Sequence, residues 1–213
     1  MPKIKLPSSA PNIDMTPMVD LFSVILIFLM LTTTFRVSEP APVDTPFSIS
    51  EKPTPDFDIM TLVLSADNKV FFNVDNGPDT LLSFRSKILA AMGERYEIEF
   101  TPEELTAFSK FPSSMGVPIQ DMKEFLATKD AREKARFQTG VPLDSLDNQL
   151  DLWILFTRQI NPNVKACIKG DANTGFPFLK KVLDILQAKN VNRFNLITSL
   201  EAADVNLEDE TTE

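Results

Sequence analysis

The chain of 213 residues carries a formal net charge of -9, 43% hydrophobic residues, one cysteine and no histidine. Histidine metal sites, Ser-His-Asp and Cys-His nucleophile systems and intramolecular disulfides are thereby excluded. The acidic balance, closing in EDETTE, offers no basic face on which phosphates would release counterions, which argues against a nucleic-acid partner.

Residues 1–15 read as a cytoplasmic segment, because Lys3 and Lys5 precede the most apolar run of the chain. That run, TPMVDLFSVILIFLMLTTTF at 16–35, predicts a transmembrane helix over 16–36. The next most apolar stretch, LDLWILF at 150–156, falls well short of the roughly 20 residues a span needs. The core is too long for a cleaved signal peptide, so the span reads as an uncleaved anchor with the C-terminal part outside. Thr16 is placed to cap the helix and Pro17 to occupy its first position.

Asp20 then lies about 6 Å inside the helix start at a rise of 1.5 Å per residue. A carboxylate at the centre of a span costs about 2.5 to 3.5 kcal/mol, less near an end, and such groups face protein or water rather than lipid. Spacing of three and four places Asp20, Ser23, Ile27, Leu31 and Thr34 on one face, a seam for a partner, with Thr16 at its start. The plainer alternative is that Asp20 only favours the positive end of the helix dipole, for about 0.3 to 1 kcal/mol.

Residues 37–58 are punctuated by proline and predict an extended linker, with a short strand in PFSIS. IMTLVLS and KVFFNV, joined by ADN, predict a hairpin. Residues 78–92 predict a helix with Leu82, Ile88 and Leu89 inward, ending at Gly93. TPEE at 101–104 is a capping-box pattern that opens a helix to about Lys110. Helical spacing recurs over 118–127 and over 147–160, where Leu150, Trp153, Ile154 and Thr157 share a face. The aromatic positions here predict local core rather than a ligand pocket, KDAREKAR at 129–136 a solvated face, and the helices together an accessory surface.

NVKACIKG predicts a strand in which Cys167 is a packing residue. GDANTG lacks the GxxxxGK phosphate-loop pattern and reads as a strand-to-helix turn. Residues 201–213 read as an acidic disordered tail. The carboxylate pairs in DFD and EIE give no convergent acid and base, so an enzyme is not expected.

IDMTPMVDLFSVILIFLM resembles the single-span subunit of proton-driven inner-membrane motors, the ExbD/TolR family, with its Thr-Pro, apolar pair and aspartate; Asp20 matches the family aspartate. MTLVLSADNKVFFNV is similar to the family's first periplasmic hairpin, and VKACIKGDANTGFPFLKKVLDILQAKNVNRFNLIT to its strand, helix and final strand. Ser23 stands where the family is commonly aliphatic, AKNVNR lacks a glycine often found there, and residues 94–160 have no counterpart in the compact family domain.

The resemblance implies an α+β fold: one N-terminal transmembrane helix, a proline-rich linker, and over 59–200 a small periplasmic α/β-sandwich-like domain with a helical insertion at about 94–160. It implies a motor subunit that couples proton-motive force to work on a periplasmic partner, with Asp20 as proton carrier and no cofactor or metal. The implied partners are a second copy of the chain, a surrounding ExbB/TolQ-like multi-span ring (a pentamer around two copies), a TonB-like transperiplasmic protein and, as a further candidate, peptidoglycan. The competing expectation is a membrane-anchored adaptor or wall-binding protein without proton traffic.

Overall fold

The computed structural model describes residues 15–32, 39–48, 55, 57–77, 82–144 and 147–200. Contacts divide the chain into two compact units, Met1–Val37 and Ser38–Glu213. The first contains a single described helix, α1 (Thr16–Thr32). The expected 201–213 tail lies outside the described residues, as do 1–14 of the N-terminal segment.

The second unit is a mixed α+β fold. Its elements are β1 (Phe47–Ser48), β2 (Ile59–Leu64), β3 (Val70–Val74), α2 (Phe84–Tyr96), α3 (Pro102–Lys110), α4 (Met122–Ala127), α5 (Ala131–Phe137), α6 (Gln149–Ile160), β4 (Lys165–Gly170), α7 (Phe176–Ala188), β5 (Phe194–Ile197) and β6 (Ser199–Leu200). A four-stranded sheet runs β3-β2-β4-β5, and β1 pairs with β6 in a separate two-stranded ribbon. Strand β2 is antiparallel to β3 and parallel to β4, which is parallel to β5. The hairpin forms as ADN predicts: Ser65 N–H donates to Lys69 O (3.0 Å) and Asn68 sits at φ 57, a conformation asparagine tolerates.

Alternation along the strands sends Met60, Leu62, Phe72, Ala166 and Ile168 into one cluster with Ile88 and Leu89 of α2, Trp153 and Ile154 of α6, and Val182 and Leu186 of α7. The Trp153 ring lies 5.4 Å from Phe72 and 6.1 Å from Phe108, centroid to centroid. Each such fully buried side chain contributes about 1.5 to 3 kcal/mol.

The helices between α2 and β4 depart from the expected accessory surface. Phe108, Met115, Val117, Ile119, Met122 and Phe125 belong to the same core cluster as the sheet. Met115 also exchanges backbone hydrogen bonds with Phe72 (2.6 and 2.8 Å), and Val141 N–H donates to Val70 O (2.8 Å), so this segment closes the β3 edge. The aromatic positions are local core, as their spacing predicts. On α5 no residue is buried, in line with a solvated face.

Helix α3 carries the full capping box: Thr101 N–H donates to Glu104 Oε2 (2.7 Å) and Glu104 N–H to Thr101 Oγ1 (3.3 Å). Helix α2 differs from its prediction at both ends. It begins at Phe84, after Ser83 at φ 45, and runs past Gly93 to Tyr96, where Glu97 at φ 56 terminates it. Leu82 therefore precedes the helix, while Ile88 and Leu89 are buried as expected; residues 78–81 lie outside the described residues. Gly93 serves close approach instead of termination: a Cβ there would stand 2.5 Å from Ile98 O and 2.8 Å from Phe100 Cδ2. Asn190, at φ 59 after α7, supplies the left-handed residue where a glycine is absent.

Candidate functional site

Helix α1 is built from residues that elsewhere in the chain form core, yet none of its residues is buried; Leu31 is 81% exposed and Met30 76%. Its sequence contains one ionisable residue, Asp20. The helix starts at the expected cap, one residue before the expected first position, with Thr16 already helical and Val19 N–H donating to Met15 O (3.1 Å). Asp20, Ser23, Ile27 and Leu31 follow at helical spacing and are all exposed, as is Thr16. Thr34 lies outside the described residues. At the far end Thr32 Oγ1 lies 3.0 Å from Phe28 O and 3.2 Å from Leu29 O, so its hydroxyl finds acceptors within the helix itself.

At about 1.5 Å per residue the described helix is about 26 Å long. Among the described residues no helix is long and apolar enough to cross a membrane.

In the second unit, residues 39–48 are extended, as their prolines dictate, but they are fastened along the domain. Lys169 Nζ pairs with Glu39 (2.8 Å), Asp44 N–H donates to Asp171 Oδ2 (3.0 Å), and Ala172 N–H donates to Asp44 O (2.9 Å). Ser199 N–H donates to Pro46 O (3.0 Å), and Thr45 Oγ1 meets Ser199 Oγ at 2.5 Å. Backbone N–H groups of Asn173 and Asp44 hold the Asp171 carboxyl below its ordinary range. GDANTG is thus a strand-to-helix turn, with Asp171 accepting from Asn173 N–H (2.8 Å). Nothing local in the sequence announces this strap, because its partners stand 127 and 130 positions away.

Two further groups escape a sequence reading. Tyr96 OH donates to Asp147 Oδ1, and Gln149 Nε2 donates to Asp147 Oδ2 (2.7 Å) and Gln120 Oε1 (2.9 Å), while its own oxygen accepts from Ile119 N–H (2.9 Å). Burial alone would raise the Asp147 carboxyl, but the hydrogen bonds from Tyr96, Gln149 and Gln120 hold it low; burial and that same carboxylate push the Tyr96 hydroxyl up. Arg85 of α2 is the other group, buried at 6% exposure. Cys167 is fully buried in β4 and its thiol is raised by burial, as suits a packing residue.

An apolar helix bearing one carboxyl group thus precedes a small α+β domain in the chain. The model of the biopolymer transport protein ExbD/TolR family matches residues 7–201. The chain belongs to the ExbD/TolR family of biopolymer transport proteins. No curated protein and no solved structure matches it.

Proposed function

We propose that the chain is the single-span subunit of an inner-membrane motor, with its N-terminus cytoplasmic and its α+β domain periplasmic. The observation that carries this reading is α1, an apolar helix with no buried residue and a lone aspartate. From Thr16 through Phe35 the sequence carries no charged residue but Asp20, a run of about 20 residues that suits a bilayer. An uncovered helix of this composition needs lipid or partner helices around it, and Asp20 needs a polar neighbour or a water path. Two copies of α1 inside a ring of ExbB/TolQ-like multi-span subunits provide both.

In this reading Asp20 alternates between ionised and protonated states as it meets successive ring subunits. The charged form seeks polar groups and the neutral form tolerates apolar contact along Ser23, Ile27 and Leu31. One charge moved through 100 mV releases about 2.3 kcal/mol, enough to bias a two-state packing equilibrium. The domain then transmits the motion to a TonB-like transperiplasmic protein or to the wall. Strand β5, the terminal strand opposite the covered β3, is a site for strand addition.

The test compares Asp20→Asn, Asp20→Glu and Ser23→Ala in cells, reading transport driven by proton-motive force together with recovery of the detergent-solubilised complex. The asparagine variant is expected to assemble and to lose energised function, while Asp20→Glu retains part of it. If Asp20→Asn assembles and works at the wild-type rate, the chain carries no protons and acts as a membrane-anchored adaptor.

A further inference from the structure

Where α2 ends the chain turns back on it, with Glu97 at φ 56 and Ile98 N–H donating to Gly93 O (2.9 Å). The reversal leaves a cleft of about 590 Å³ between α2, the returning segment and α3, with Ile98, Phe100 and Leu105 among its apolar walls. Glu94, Glu97 and Glu99 line it too, and no cationic residue does. None of these three carboxylates has an ion-pair partner among the described residues. Lys123 of α4 stands 6.0 Å from the centroid of the Phe100 ring and forms no ion pair there either.

Unmatched cations stand close by, on α5. Its Lys134 turns inward, with Nζ 5.5 Å from the Phe111 ring centroid and 5.3 Å from that of Phe125, and Phe137 packs against the core. Arg132 and Arg136, two residues to either side of Lys134, lie about 160° around the helix from it and so share the outer face. Both are exposed, and neither forms an ion pair among the described residues. The cleft and α5 flank α4, because Lys123 reaches Phe100 on one side and Phe125 meets Lys134 on the other. Within one chain, however, no ion pair joins the two.

An apolar cleft edged by carboxylates fits a cation carried on an aliphatic stem. Arginine lays its methylenes on apolar surface while its guanidinium pairs with carboxylate, and covering the three glutamates requires such a compensating charge. We propose that the cleft receives α5 of a second copy of the chain, Arg132 and Arg136 entering among Glu94, Glu97 and Glu99. Under two-fold symmetry the contact is made twice, each copy giving its own α5 and receiving that of its partner. A helix of seven residues covers little area, so the contact draws on the membrane helices to hold two domains at high effective concentration. It rests to that extent on the reading of two copies inside one ring.

The experiment uses two differently tagged full-length chains expressed together, one with Glu97→Cys and the other with Arg132→Cys, and treats their membranes with a short bismaleimide. A crosslinked product carrying both tags is expected, and its loss when Lys180→Cys on α7 replaces Arg132→Cys. Chains without introduced cysteines set the background, which the full burial of Cys167 keeps low. With the crosslink moved to Glu94→Cys and Arg136→Cys, Glu97→Arg in both chains is expected to lower the yield about tenfold or more, through like-charge contact. Adding Arg132→Glu to both chains is expected to restore it. Leu31→Cys in both chains reports the pairing of α1 separately. A Leu31→Cys crosslink without one between Glu97→Cys and Arg132→Cys overturns the docking and leaves the two-copy reading standing, whereas absence of both overturns both. Equal crosslinking to Lys180→Cys, or a yield that Glu97→Arg leaves unchanged, is random collision and overturns the docking as well.

Discussion

In α1 every residue from Thr16 to Thr32 is exposed, whereas Trp153, Phe108, Leu62 and Ile168 in the second unit are fully buried. Both regions use leucine, isoleucine and phenylalanine, but only the second alternates them with polar residues at positions that face solvent. The second region therefore completes its own core, with sheet, α2, α6 and α7 contributing to one cluster. Helix α1 has no polar face to give to water, so its cover must come from outside its own sequence. The difference separates a part whose stability is internal from a part whose stability depends on surroundings. Substitutions in the two regions should accordingly register in different measurements.

The largest effect is expected at the centre of the core. Trp153→Ala removes a ring packed between Phe72 and Phe108 and should cost about 3 to 5 kcal/mol in unfolding of the domain, read by denaturant titration of the detergent-solubilised chain. A loss below about 1 kcal/mol, within the range of ordinary surface changes, would mean that the cluster is not one cooperative core.

The counterpart in α1 is Ile27→Lys. Because Ile27 touches no core, domain unfolding should stay within about 0.5 kcal/mol of wild type. Membrane retention should fall, since a lysine at the middle of a span costs about 2.5 to 3.5 kcal/mol. A variant that is retained normally, but whose domain is destabilised, would reverse the division between the two regions.

A smaller effect tests a local signal. Thr101→Ala removes one half of the α3 capping box and should cost about 1 kcal/mol, with faster amide exchange at Glu104. Unchanged exchange there would show that packing of Phe108 alone holds the first turn.

That cap was legible because all its partners lie within four consecutive residues, and the ADN turn for the same reason. The boundaries of α2 were not, since both flanking residues, Ser83 and Glu97, take left-handed conformations without being glycine. Gly93 misleads as a terminator because its role is set by Ile98 and Phe100 folding back onto it. The role of the 94–160 region was hidden for a related reason: helical spacing marks an inward face without saying which neighbour covers it. On α1 the spacing of Asp20, Ser23, Ile27 and Leu31 is visible in both sequence and structure, and its physical meaning lies in the surroundings. The burial of Arg85 was invisible because Phe108 and Phe111 meet it only through the packing of α3 and the chain just after it against α2.

The smallest expected effect concerns the strap, the part of the second unit that follows α1 in sequence. Asp171 accepts from the backbone of Asp44 and of Asn173, and its pKa is lowered in the folded chain. Any stability this contributes is complete above the unfolded carboxylate value of about 3.9 and is lost as pH falls through the lower folded value. Protection of the Asp44 amide against hydrogen exchange should therefore be independent of this group from pH 7 to about 5, and should decline only in more acid solution. The pairing of Glu39 with Lys169 is half exposed, so its share should be screened by salt. The two contributions can be separated by substitution. Asp171→Asn keeps an acceptor oxygen for the Asp44 amide but removes the titration, so the residual acid loosening should vanish at high salt. Glu39→Gln should leave a loosening that salt does not alter. Loss of Asp44 protection already near neutral pH, or the same acid profile in Asp171→Asn and wild type at high salt, would show that the strap is held by the β1–β6 pairing and not by this carboxylate.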